Sequence, residues 1–135
     1  MFILDTNVIS EIGKPKANPN VLAWAARTPQ QTTFLSAITI LEIELGVLLM
    51  ERKDKERATR LRSWINTIVW PAYTDRILAI DAGVARCCAT LHVPKRRPDR
   101  DTFIAATAIT HGMTVVTRNV ADFQIDGLKV INPWD

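Results

Sequence analysis

The chain is short of the residues that cross-link or zinc-bind a small fold. Of 135 residues only two are cysteine, the neighbours Cys87 and Cys88. Adjacent residues on a helix point in different directions, and there is no second pair to complete a zinc site. Both read as small buried side chains in a reducing compartment. Histidine is equally scarce, with His92 and His111 alone. Each falls at the end of a helix-like segment, which disfavours a metal-free ribonuclease built on paired imidazoles. No long hydrophobic run is present. The richest, Ala37 to Met50, is interrupted by Glu42 and Glu44 and is no transmembrane helix. The apolar start is broken by Asp5 and lacks a basic flank, so no signal peptide is expected and the cytoplasm is the expected location. Neither charge sign dominates: 17 basic against 14 acidic residues leave a net charge of +3. That balance permits a nucleic-acid partner without demanding one. Repeats, low-complexity tracts and linkers are also missing, so one domain over residues 1–135 is expected.

What is present is an alternation of strands and helices. Phe2 to Leu4 is a short apolar run of the kind found in buried parallel strands, and it ends in Asp5-Thr6-Asn7. A short helix from Val8 to Ile12 stops near Gly13 and Pro15. Asn18-Pro19 offers an N-cap followed by proline at the first helical position. That helix runs to Thr28-Pro29. Thr32 to Leu35 is the second strand, and Ser36 opens a long helix. Ile38, Leu41, Leu45, Leu48 and Leu49 recur there at helical spacing and form one apolar stripe, to be buried within the chain or offered to a partner. Leu61, Trp64, Ile65 and Ile68 predict a further apolar stripe after the charged stretch 51–62.

Ile77 to Ile80 is the third strand, and Asp81 caps the helix that holds the cysteines. Lys95-Arg96-Arg97-Pro98-Asp99-Arg100 forms a basic loop. Asp101 opens a helix closed by His111 and Gly112. Met113 to Val116 is the fourth strand, followed by Thr117-Arg118-Asn119 and a helical turn with Asp122. Leu128 to Ile131 is the last. The class is α/β with a mainly parallel sheet.

Acids recur beyond these strands. Asp5 ends the first, Glu42 lies about two turns into the helix after the second, and Asp122 follows the fourth. Asp101 begins the helix before it. Right-handed crossovers place such strand ends on one edge of the sheet, where ligands bind. Two carboxylates about 4 Å apart repel by roughly 4 kcal/mol at an effective dielectric near 20. A converging set therefore raises its pKa values or recruits a cation. All-oxygen donors suit Mg²⁺ or Mn²⁺ and metal-assisted phosphoryl chemistry. Taken singly, each acid also has a plain structural reading as a cap or surface group. Periodicity does not separate Glu42 from Glu44, and Asp99 and Asp101 are both natural N-caps.

Leu4-Asp5-Thr6-Asn7, the Ser36 to Glu42 segment, Asp101-Thr102-Phe103-Ile104-Ala105-Ala106 and Thr117-Arg118-Asn119-Val120-Ala121-Asp122-Phe123 together resemble the PIN-domain signature. The ending Gly127 to Trp134 is similar to the tail of VapC-like (FitB-like) toxins. The resemblance spans nearly the whole chain. It implies an α/β/α sandwich and a Mg²⁺- or Mn²⁺-dependent endoribonuclease that hydrolyses RNA with a metal-activated water, leaving 5′-phosphate and 3′-hydroxyl ends. It carries the metal-binding acids onto Asp5, Glu42, Asp101 and Asp122, and the polar helpers onto Thr117 and Asn119. The resemblance selects Glu42 over Glu44 and Asp101 over Asp99. Thr6, Asn7 and Ser36 are expected to orient carboxylates or waters, and Lys95, Arg96, Arg97, Arg100 and Arg118 to meet RNA phosphates. An antitoxin resembling VapB and a second copy of the chain are the implied partners, and no membrane is. The competing readings are an inactive RNA- or protein-binding PIN-like domain and a phospho-receiver. The latter lacks a paired-acid start and a well-placed late lysine.

Overall fold

The computed structural model describes all residues, Met1 to Asp135. Five strands, β1 (Phe2–Leu4), β2 (Thr33–Ser36), β3 (Ile77–Leu78), β4 (Thr114–Val116) and β5 (Val130–Ile131), form one sheet in the order β3-β2-β1-β4-β5. Every pairing is parallel. The chain builds outward from β1 to β3 on one side and returns to add β4 and β5 on the other. The order of strands therefore reverses between β1 and β4, the place where open parallel sheets leave a crevice at their carboxyl ends.

Side chains alternate across the strands. Leu4, Leu35 and Val116 point to one face, into a core with Val8, Ile9, Val21, Trp24, Ile43 and Val47. This layer holds α1 (Thr6–Ile12), α2 (Pro19–Arg27) and α3 (Ala37–Glu51). Ile3 and Val115 point the other way, onto Ile104, Ala105 and Ala108 of α7 (Asp99–His111) and onto Phe123. Outside α7 lies α6 (Ala82–Leu91), held by Val84 and Cys88 against Ala106. The result is the expected α/β/α sandwich. Three helix boundaries match their sequence signals: Asn18 caps α2 with Pro19 next, Asp81 caps α6, and Gly112 ends α7 at φ 66°.

The buried face of α3 is not the leucine stripe. Thr39, Ile43 and Val47 are its buried residues, while Leu41, Leu48 and Leu49 are 48%, 53% and 59% exposed. The helix is apolar nearly all round, so spacing alone could not choose its inner face. In the second stripe Leu61, Trp64 and Ile65 do pack in the core, and Ile68 alone departs. After α4 (Lys55–Trp64) the backbone takes a π-turn, Ile65–Val69, before α5 (Trp70–Tyr73). The wider turn advances the register, so Ile65 and Val69 enter the core and Ile68 faces out. The third strand ends at Leu78, leaving Ile80 outside it. Finally, α7 begins at Asp99, with Pro98 at its cap position and neither Asp99 nor Asp101 serving as the cap.

Candidate active site

At the end of β1 the backbone continues one more ladder bond, from Asp5 N to Val116 O at 2.9 Å, and then turns into α1. Asp5 is the N-cap of that helix, with Oδ1 accepting from Thr6 N at 2.7 Å. The cap uses only one carboxylate oxygen. Oδ2 accepts from Thr117 Oγ1 at 2.7 Å and from Asn7 Nδ2 at 3.3 Å. Thr117 in turn accepts from Asn119 N at 3.0 Å, and Asn7 Oδ1 accepts from Arg118 N at 3.4 Å. These bonds tie the segment after β4 to the segment after β1 at the topological reversal. Asp5 is buried, and burial pushes its carboxyl up. Hydrogen bonds from Thr117 and Thr6 work against that rise, while the charges of Glu42 and Asp122 add to it.

Geometry separates the pairs that spacing left open. Glu42 Oε1 accepts from Thr6 Oγ1 at 2.7 Å, which brings the first two turns of α3 to the start of α1. Glu44 turns away, held by Arg62 at 2.6 Å and by the Trp70 indole at 3.2 Å. Asp99 faces the basic loop, 3.3 Å from Arg96 and 3.8 Å from His92 Nε2. Asp101, in the same first turn of α7, faces the other acids instead. Burial, the charges of Asp5 and Asp122, a hydrogen bond with the Asp122 carboxyl and the charge of Glu42 push it up to about 7. Asp122 sits on a 3₁₀ turn, Val120–Phe123, pinned by fully buried Phe123.

The carboxylates thus share one electrostatic neighbourhood at the sheet's carboxyl edge. Asp5, Glu42 and Asp101 line a common cleft of about 360 Å³, together with Thr6, Asn7 and Asn119. Its donors are all oxygen, which fits Mg²⁺ or Mn²⁺ better than zinc. The fit is one of charge and donor type. No three acidic, histidine or cysteine side chains are drawn together tightly enough to ring an ion as they stand. Arg100, 3.8 Å from Glu42 Oε2, is the cation nearest that carboxylate in an ion pair.

Not every expected residue joins this group. Ser36 caps α3 through a bond from Ile38 N and makes none to the acids. In the basic loop, Arg96 is engaged by Asp99, and Arg97 donates to the carbonyls of Leu91 and Gln124. Lys95 and Arg100 are exposed, and Arg118 lies over the Trp134 ring at 5.5 Å. Two residues escaped the sequence reading. Thr39 is fully buried and touches Thr6 Oγ1 at 3.2 Å; its place three residues before Glu42 was the available signal. Glu11 is buried at the rim of the cleft, binding Lys14 at 3.0 Å and Asn18 N at 2.9 Å. Beyond Thr6 and Glu42 a second groove of about 590 Å³ opens between α1, α3 and α4, with Lys14, Arg57 and Arg60 among its walls.

A parallel sheet that reverses order beside a nest of carboxylates defines a class of α/β proteins with an acidic site at the sheet edge. The PIN domain model matches residues 2–124, and the chain belongs to the PIN-domain family. It is 37% identical over its whole length to 99% of the VapC ribonuclease Y4jK of Sinorhizobium fredii. It is 36% identical to toxin FitB of Neisseria gonorrhoeae, covering 99% of each chain. The crystal structure of FitAcB from the same organism superposes with a TM-score of 0.91 at 36% identity, over 99% of both chains.

Proposed function

We propose that this chain is a Mg²⁺- or Mn²⁺-dependent endoribonuclease and the toxin of a toxin–antitoxin pair. The carrying observation is that Asp101 shares one cleft with Asp5 and Glu42, its carboxyl pushed up to about 7 by burial first and then by the charges of Asp5, Asp122 and Glu42. Such mutual repulsion is relieved when a cation enters. The names of the relatives, a VapC ribonuclease and a toxin, support the same reading.

In this account Asp5, Glu42 and Asp101 hold the ion, with Asp122 as a further ligand or as the partner that orients Asp101. A bound divalent ion supplies an acidified water and charge neutralisation at a phosphodiester. Thr117 and Asn7 fix the Asp5 carboxylate, and Thr6 fixes Glu42, so that the acids need little reorganisation. Phosphate contact falls to the cations beside the cleft that are not spent on loop structure. These are Arg57 and Arg60, exposed on the second groove, with Arg100 beside Glu42. The exposed leucines of α3 offer an apolar face for a second copy of the chain, and an antitoxin is the expected inhibitor. No helix is long and apolar enough to cross a membrane, and the proposed site of action is the cytoplasm, beside the RNA.

The alternative, an inactive binding domain of the same fold, draws on the wide spacing of the donors. Turnover separates the two. The purified chain should cleave RNA with Mn²⁺, and Glu42→Gln should not. RNA binding without turnover at any Mn²⁺ concentration favours the inactive domain.

A further inference from the structure

We propose that Thr39 is a positioning residue for Glu42, acting through the Thr6 hydroxyl. The inference rests on the proposed role of Glu42. Thr6 Oγ1 lies 2.7 Å from Glu42 Oε1 and 3.2 Å from Thr39 Oγ1. A hydroxyl has one proton to give, and an ionised carboxylate can only accept. Thr6 therefore donates to Glu42, and the bond between the threonines runs from Thr39 to Thr6. The three groups form a one-way chain, Thr39 to Thr6 to Glu42, in which each donor polarises the next.

The use Thr39 makes of its hydroxyl is unusual for this protein. Thr59, Thr67, Thr102 and Thr107 each turn the hydroxyl back to the carbonyl four residues earlier. That back-bond is the default of a helical threonine. Thr39 is fully buried in α3 yet spends its hydroxyl across the helix interface, on Thr6 of α1. Its neighbours on the same inner face, Ile43 and Val47, are purely apolar. A valine would fill the same space without the proton. The polar choice at this position serves the carboxylate one turn on, holding it where α1 and α3 meet.

The test is Mn²⁺ binding to the isolated chain, read by the electron paramagnetic resonance of free Mn²⁺, alongside RNA turnover. Thr39→Val should keep the thermal midpoint. It should weaken Mn²⁺ binding and lower kcat roughly three- to tenfold, the weight of one hydrogen bond, with KM for RNA unchanged. Thr39→Ser should restore both. In a Thr6→Val background, Thr39→Val should cost nothing further, because the relay is already cut. Should the valine variant fold poorly, Thr39→Ser against Thr39→Ala makes the same comparison. Wild-type Mn²⁺ affinity and turnover in Thr39→Val, or additive losses with Thr6→Val, overturn the relay. Full RNA cleavage by Glu42→Gln instead removes Glu42 from the cation site, the reading on which the relay stands, and no cleavage by the wild type with Mn²⁺ overturns the nuclease reading itself.

Discussion

Thr117 donates its hydroxyl proton to Asp5 Oδ2 at 2.7 Å, although 112 positions separate them in the chain. The bond joins the carboxyl ends of β1 and β4, the parallel strands between which the order of strand addition reverses. It favours the charged form of a buried carboxyl, working against the larger upward push of burial. Thr117→Val removes the only hydroxyl on that oxygen. Mn²⁺ affinity is expected to fall about 10- to 100-fold, the usual effect of losing a ligand's orienting partner. Thr117→Ser should retain most of it. Equal affinity in wild type and Thr117→Val, by titration, removes Thr117 from the site.

Asp101 sets a pH dependence. Its carboxyl lies at about 7 in the folded chain against an ordinary 3.8. Between those values the folded state holds a proton that the unfolded state has released. Its contribution to the stability of the metal-free protein is therefore complete below about pH 4 and is lost as pH rises through 7. Asp101→Asn should remove that decline and raise the thermal midpoint at pH 8. Mn²⁺ should bind more tightly with rising pH across the same window and release a proton, visible by calorimetry in buffers of different ionisation enthalpy. A pH-independent affinity contradicts the assignment.

Gly13 tests the packing beside the cleft. A Cβ there would meet the Trp64 ring at 2.6–2.9 Å, while its backbone, at φ −78°, suits any residue. Gly13→Ala should cost about 1–3 kcal/mol through displacement of Trp64. At this chain length that is roughly 3–5 °C in the midpoint per kcal/mol. Because Trp64 walls the groove that also contains Arg57 and Arg60, RNA affinity should fall with it. An unchanged midpoint would show that the ring is loosely held.

Arg57 and Arg60 separate two routes for RNA. Replacing both with alanine should flatten the slope of log affinity against log salt by about 0.7 per lost phosphate contact. Arg96→Ala, which removes a side chain already paired with Asp99, should leave the slope nearly as it was. The reverse pattern, measured by filter binding over a salt series, returns the contact to the 95–100 loop.

Much of this was legible in the chain. Asp5 follows an apolar run, and Gly112 and Asn18-Pro19 punctuate helices in a way that local sterics enforce. What was hidden depends on the third dimension. Glu42 and Glu44 flank one stripe that periodicity could not divide; the resemblance chose Glu42, and the partners Thr6 and Arg62 supply the physical reason. The inward face of α3 was concealed by the stronger leucine stripe on another face of the helix, and Ile68 by a π-turn that no simple period anticipates. Thr39 looked like any helical threonine until its hydroxyl was seen to reach α1. The basic loop advertised its charge, but Arg96 and Arg97 are occupied in shaping it.

The central claim is that carboxylates scattered along the chain act as one cation-binding group. Mn²⁺ titration of the wild type and of Asp5→Asn, followed by paramagnetic resonance, tests it most directly. The wild type should bind Mn²⁺ and lose RNA cleavage in EDTA, and Asp5→Asn should bind at least tenfold more weakly while remaining folded. Equal binding by both proteins, or RNA cleavage that survives EDTA, contradicts it.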